Sequence, residues 1–162
     1  MSRPDPDLAV TIPVLDRLID QNPASAADPP ANRSQSVRQL KSSLCRDLEW
    51  LLNTRRNPDE VPDTYEELSR SLYNFGLPDV TSMGLSSPRD RQRLLRMVEQ
   101  TIEIFEPRLT GTRVRAVDNS ASGPRILRFQ IEALLKMDPA PEQILFDTVL
   151  QLNSGEYQIK GE

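Results

Sequence analysis

Thr101–Val117 reads TIEIFEPRLTGTRVRAV, and the hydrophobic period changes inside it. Before Glu106, the residues Leu94, Val98, Thr101, Ile102 and Phe105 recur at helical spacing. After it, Leu109, Val114 and Ala116 begin a period of two. Ser87-Pro88-Arg89-Asp90 predicts the helix start: serine as cap, proline at the first position, aspartate answering the cap three residues on. The stop is equally specific. A residue before proline is pushed out of the α region, so the helix ends at Glu106, and Pro107 then fixes the exit direction. Arg108 follows at a rigid corner, with five donors. Either the corner is punctuation with a weak local Glu106–Arg108 pair, or it aims a guanidinium outward at a partner.

The charges of this helix are oddly distributed. Arg89, Arg91, Arg93 and Arg96 crowd its first half, and Glu99, Glu103 and Glu106 its second. That order opposes the helix dipole, at roughly 0.3–1 kcal/mol for each charge in a terminal turn. Recognition of a partner or ion pairs elsewhere in the fold would account for it; local helix stability does not.

Working outward, Ile126–Leu135 alternates, with Leu127, Phe129, Ile131, Ala133 and Leu135 on one face and Arg128, Gln130 and Glu132 on the other. Phe146, Thr148, Leu150 and Leu152 continue the pattern, Asn153-Ser154-Gly155 turns, and a short last strand follows. DNSASGP reads as a hairpin-type connection. Upstream, Val37, Leu40, Leu44, Leu48, Leu51 and Leu52 form one helical stripe, with Arg38, Ser42, Arg46, Glu49 and Trp50 assigned to the outer face. The fold class is α+β: N-terminal helices packed on one face of a small antiparallel sheet of about four strands. Such a sheet has two edges that must be covered or used.

Residues 1–33 form a separate unit, and the domain proper spans 34–162. Val14, Leu15, Leu18 and Ile19 share one face of a short helix, with Asp16, Arg17 and Asp20 on the other. The Pro- and Ala-rich run NPASAADPPANRS then reads as a linker. A short apolar helix on a linker either docks on a partner or packs back on its own domain; we take it as a docking helix.

Composition removes whole function classes. The chain has no histidine and one cysteine, Cys45, which excludes histidine-dependent nucleophile systems and leaves little to ligate a metal. No catalytic residue, cofactor or metal is expected. A net charge of −4 argues against nucleic acid as a partner. The lone cysteine, the lack of an apolar run of bilayer length and the lack of a secretory leader point to a cytoplasmic address without direct membrane insertion. Carboxylate-only glycoside hydrolysis survives the filter, but Glu99, Glu103 and Glu106 lie along one helix and supply no opposing wall. A lone regulatory binding module is a third possibility; it predicts sheet edges covered by the domain itself.

Three blocks in order, DLEWLLNTRR (Asp47–Arg56), SLYNFGLPD (Ser71–Asp79) and IFEPRL (Ile104–Leu109), resemble the TssE baseplate subunits of bacterial type VI secretion systems. These fall within the wider "lysozyme-like" family of phage-tail baseplate wedge proteins. The resemblance runs from about Leu8 to Ile159 and includes LDRL at Leu15–Leu18. It implies a structural protein of a contractile injection machine, in the cytoplasm beneath the inner membrane, linking the baseplate wedge to the first ring of the sheath. It also implies a fold like the strand-accepting part of a sheath subunit. The family's Glu-Pro-Arg motif is associated with binding the core helical bundle of the wedge, and that role falls on Glu106, Pro107 and Arg108. Arg55 and Arg56 match the family block and join Leu15, Leu18 and Ile19 as candidate partner-binding residues. The lysozyme-like label keeps a peptidoglycan glycosidase as the alternative.

Overall fold

The computed structural model describes residues 10–19, 32–59, 61–62, 64–80, 87–117 and 126–161. The linker proper, the DNSASGP connection and Asp20 lie outside the described residues. Four helices precede four strands: α1 (Val14–Leu18), α2 (Arg33–Asn53), α3 (Glu66–Ser69), α4 (Pro88–Phe105), β1 (Leu109–Ala116), β2 (Ile126–Leu135), β3 (Glu142–Gln151) and β4 (Glu156–Gly161). A 3-10 turn, Leu72–Asn74, follows α3. The strands form an antiparallel meander in the order β1-β2-β3-β4. The α+β expectation therefore holds, with α2 and α4 covering the sheet; α3 buries none of its residues.

The stripes read from the sequence form one core. Leu40, Leu44, Leu48, Leu51 and Leu52 of α2 and Leu94, Val98 and Ile102 of α4 meet Leu127, Phe129, Ile131, Ala133 and Leu135 of β2. Register places Ile131 opposite both Val114 and Phe146, so the apolar positions of three strands share one face. Phe129 meets Tyr157 edge-on at 6.2 Å, and Phe75 meets Phe105 at 5.3 Å. On the far face Arg128, Leu134 and Asp147 are exposed.

Two helix starts differ from expectation. Asn32, outside the expected boundary at Ser34, caps α2: its side chain accepts from the Gln35 N–H at 2.9 Å, and the Gln35 side chain accepts from the Asn32 N–H. Ser87 precedes α4 without a side-chain cap bond, leaving Pro88 to set the first turn.

The segment after α2 is held by backbone. The Leu77 N–H donates to the Thr54 carbonyl at 2.9 Å and the Arg56 N–H to the Leu77 carbonyl at 3.0 Å. This approach requires glycine next door. Gly76 has φ +100°, and a Cβ there would stand 2.1 Å from the Thr54 carbonyl oxygen. Gly76→Ala is therefore expected to lower stability by about 2–3 kcal/mol in chemical denaturation, through backbone strain and displaced Thr54. A change below about 0.5 kcal/mol would show the clamp to be slack.

Candidate functional site: a charged corner and the helix it holds

Helix α4 stops at Glu106, as Pro107 requires, but its side chain does not face solvent. Glu106 is buried, 5 % exposed. A buried carboxylate is tolerable only when paired, and Arg108 supplies the pair by folding back on it. Arg108 Nε donates to Glu106 Oε1 at 2.6 Å, Nη2 donates to Glu106 Oε2, and the Arg108 N–H donates to Oε1 at 3.2 Å. The guanidinium is thus turned inward, against the expectation of an outward-aimed group, because Glu106 would otherwise be an unpaired interior charge. Pro107 remains exposed at the tip. Its carbonyl accepts from Lys136 Nζ at 2.8 Å, and the Arg108 carbonyl accepts from the Lys136 N–H at 2.8 Å.

The network continues beyond the motif. Arg108 Nη2 also donates to Asp47 Oδ2 of α2 at 2.7 Å. Asp47 Oδ1 accepts from Arg46 Nη2 at 2.9 Å, and Arg46 Nη1 and Nη2 grip Asp16 of α1 at 2.6 and 3.3 Å. Five charges of alternating sign therefore run Glu106–Arg108–Asp47–Arg46–Asp16, joining the α4–β1 corner to α2 and to α1. The Glu106 carboxylate and, to a lesser degree, Asp47 hold the Arg108 pKa above its ordinary value. Asp16 is pushed below its ordinary 3.8, chiefly by the hydrogen bonds from Arg46.

Helix α1 is consequently inverted. Asp16 is its one buried residue, while Val14, Leu15, Leu18 and Ile19 are 61, 47, 77 and 47 % exposed. The segment does pack on its own domain, through its polar side, and presents its apolar side outward. The Val10 N–H, donating to Ser36 Oγ at 2.9 Å, secures the preceding turn. Between this segment, Arg108 and the β2–β3 connection lies a cleft of about 620 Å³ lined by Val10, Ile12, Val14, Arg108, Leu135 and Met137.

Glu106, Pro107 and Arg108 thus share one connected unit with Leu15, Leu18 and Ile19. Arg55 and Arg56 do not join it. Both are exposed on the segment clamped by Leu77, where Arg55 lies 3.3 Å from Asp79. The sequence reading missed Asp16, Arg46 and Asp47. Helical spacing puts Arg46 on the outer face of α2; in the structure α1 covers that position, and the exposed Trp50 ring lies 5.2 Å from the Arg46 guanidinium carbon. Among the described residues no cluster of His, Cys, Asp or Glu could hold a metal ion, and no helix is long and apolar enough to cross a membrane.

The family model described as "Baseplate wedge protein gp25" matches residues 38–140, in line with the wedge resemblance carried by the three sequence blocks. No curated protein and no solved structure matches the chain.

The clasp has a pH signature. Because the folded-state pKa of Asp16 is depressed, its stabilisation is complete above the unfolded-state value and is lost as pH falls through the folded-state value. Asp16→Asn should release the clasp already at neutral pH, costing about 1–2 kcal/mol, between an exposed and a buried pair. Trp50, the single tryptophan, reports on it: the variant's emission at pH 7 should resemble that of wild type once the pH has fallen below the depressed folded-state value of Asp16. Emission and stability unchanged by Asp16→Asn would mean that Asp16 does not hold α1.

Proposed function

The chain belongs to the gp25 family of baseplate wedge proteins, and on that footing we propose that it is a non-enzymatic assembly adaptor of a type VI secretion baseplate. In this reading it links the core helical bundle of the wedge to sheath subunits and promotes sheath assembly. It works in the cytoplasm, in a baseplate docked at the inner membrane. The T6SS assignment rests on the three sequence blocks, whose order and spacing resemble TssE.

One observation carries the adaptor reading: a short helix held polar side in and apolar side out by the charge network that contains the Glu106-Pro107-Arg108 corner. Exposing four neighbouring apolar residues costs folding energy and repays it only when something covers them. The wedge bundle is the proposed cover, meeting Leu15, Leu18 and Ile19 with Pro107 beside them. Arg108 contributes mainly by holding the unit rigid, so that little ordering entropy is lost on binding. Arg55 and Arg56, on their separate clamped segment, are proposed as a second contact.

The glycosidase alternative finds less support. Glu106 is committed to Arg108, and Glu99 to the Val114 N–H and Arg113; neither resembles an acid poised across a cleft from a second carboxylate. The pure protein should show no peptidoglycan cleavage above a Glu103→Gln/Glu106→Gln control, and turnover above that control would overturn the adaptor reading.

Leu15→Asp and Leu18→Asp should weaken binding to the purified wedge bundle about thirty- to thousand-fold, equivalent to about 2–4 kcal/mol. Both positions are exposed, so the melting temperature should hold. Arg108→Ala should lose affinity and stability together by stranding Glu106, and Arg108→Lys should rescue poorly because an ammonium cannot span both Glu106 oxygens and Asp47. Unchanged wedge affinity in the two α1 variants would remove that helix from the interface.

A further inference from the structure

The charges of α4 run in the order that its own dipole disfavours, and ion pairs within the fold account for only part of that order. Glu106 meets Arg108, and Glu99 lies 3.6 Å from Arg113. The arginines of the first half meet no carboxylate: among the described residues Arg89, Arg91, Arg93 and Arg96 make no ion pair. Arg91 is half-buried, on the same side of the helix as buried Leu95 and Val98. The other three are exposed. Spaced i, i+4 and i+7, they form a straight row along the solvent side, which exposed Gln100 and Glu103 continue at i+11 and i+14.

Such a row weakens the helix that carries it. Like charges one turn apart repel, and Arg89 stands in the first turn, where the dipole favours an anion. At about 1.5 Å of rise per residue, the three arginines span about 11 Å and the row as far as Glu103 about 21 Å. An opposite charge pattern of the same length, brought by another molecule, turns this repulsion into attraction.

The order of the row selects the occupant. An anionic membrane rewards apolar residues that insert beside the cations, and the one exposed large apolar residue of α4 is Ile104, two turns beyond Arg96 and next to Glu103. A nucleic-acid backbone would meet the same Glu103, and α4 exposes no aromatic ring for a base to stack on. A second copy of α4 packed antiparallel would centre on Arg96 and set that residue against itself; packed parallel, it would set every arginine against its own kind. A helix with carboxylates at the same spacing meets all three guanidinium forks, each suited to a two-pronged contact. We propose that Arg89, Arg93 and Arg96 form a docking row for an acidic helix of a partner protein, one with carboxylates at i, i+4 and i+7 and a cation opposite Glu103. The row begins at the end of α4 remote from the Glu106 corner, so it is a contact beyond those of the adaptor reading.

The full chain is titrated with a stapled helical peptide bearing Glu at i, i+4 and i+7 and Lys at i+14, and binding is followed through backbone amide chemical shifts. Saturable shifts should be strongest along residues 89–103, and added salt should weaken the complex. Arg93→Gln/Arg96→Gln should weaken it about five- to thirtyfold, with two of three contacts removed. Arg89→Gln should bind more weakly while its melting temperature rises by about 1–4 °C, since a first-turn cation is relieved. A fall in melting temperature in either variant would show that the arginines serve the fold, and overturns the docking row. So does the absence of saturable shifts, or equal binding of a control peptide with Gln in place of each Glu. Phosphatidylserine vesicles or duplex DNA binding more tightly than the acidic peptide, with the same loss in Arg93→Gln/Arg96→Gln, would assign the row to a polyanion and overturn the partner helix.

Discussion

The carboxylate of Glu106 sits inside the protein at the end of a helix, and much else follows from the need to neutralise it. An interior charge is tolerable only if an opposite charge meets it with good hydrogen bonds. Arg108 does so from two residues away, which fixes the path of the chain as it enters β1. A guanidinium has five donors and a carboxylate two oxygens, so one pair leaves capacity unused on each side. Asp47 takes the next share of Arg108, Arg46 the next share of Asp47, and Asp16 ends the series. The stop of α4, the rotation of α2 and the attachment of α1 are thereby tied to one electrostatic condition.

Regular structure was legible wherever apolar spacing carried it. The stripes of α2 and α4 and the alternation of β2 and β3 each report one local periodicity, and their residues are buried as read except Val37, Thr101, Phe105 and Leu152, which are half-buried at the margins. The position of the corner was equally legible, since Pro107 acts on its immediate neighbour. Its direction was not, because Arg108 is held in part by Asp47, 61 residues earlier in the chain. Helix α1 misled for a related reason. Amphipathic reasoning assumes the apolar face goes inward, and here a bidentate ion pair outweighs that preference and leaves Leu18 the most exposed residue of its stripe. Two of the three acids that oppose the dipole of α4 are explained by β1. Glu99 serves the edge of that strand and Glu106 its entry, two uses invisible until the strand lies beside the helix.

The candidate residues divide into two regions held in place by different means. Around Arg108, charges are fixed by one another, and acid or a single neutralising substitution would loosen them. Around Arg55 and Arg56, backbone hydrogen bonds between Thr54, Arg56 and Leu77 do the holding, and the critical residue is one with no side chain, Gly76. The first region is sensitive to charge and the second to steric bulk. The blocks NTRR and FGLPD are joined by geometry: each supplies half of one clamp.

The amide of Asn53 ties the middle of β4 to the end of α2 through two hydrogen bonds to one residue, Tyr157. Donor and acceptor are both supplied by a single side chain, so the two bonds form or break together. The last turn of the longest helix and the last strand of the sheet are thereby made to move as one body, and a single amide carries a link across 104 residues of chain.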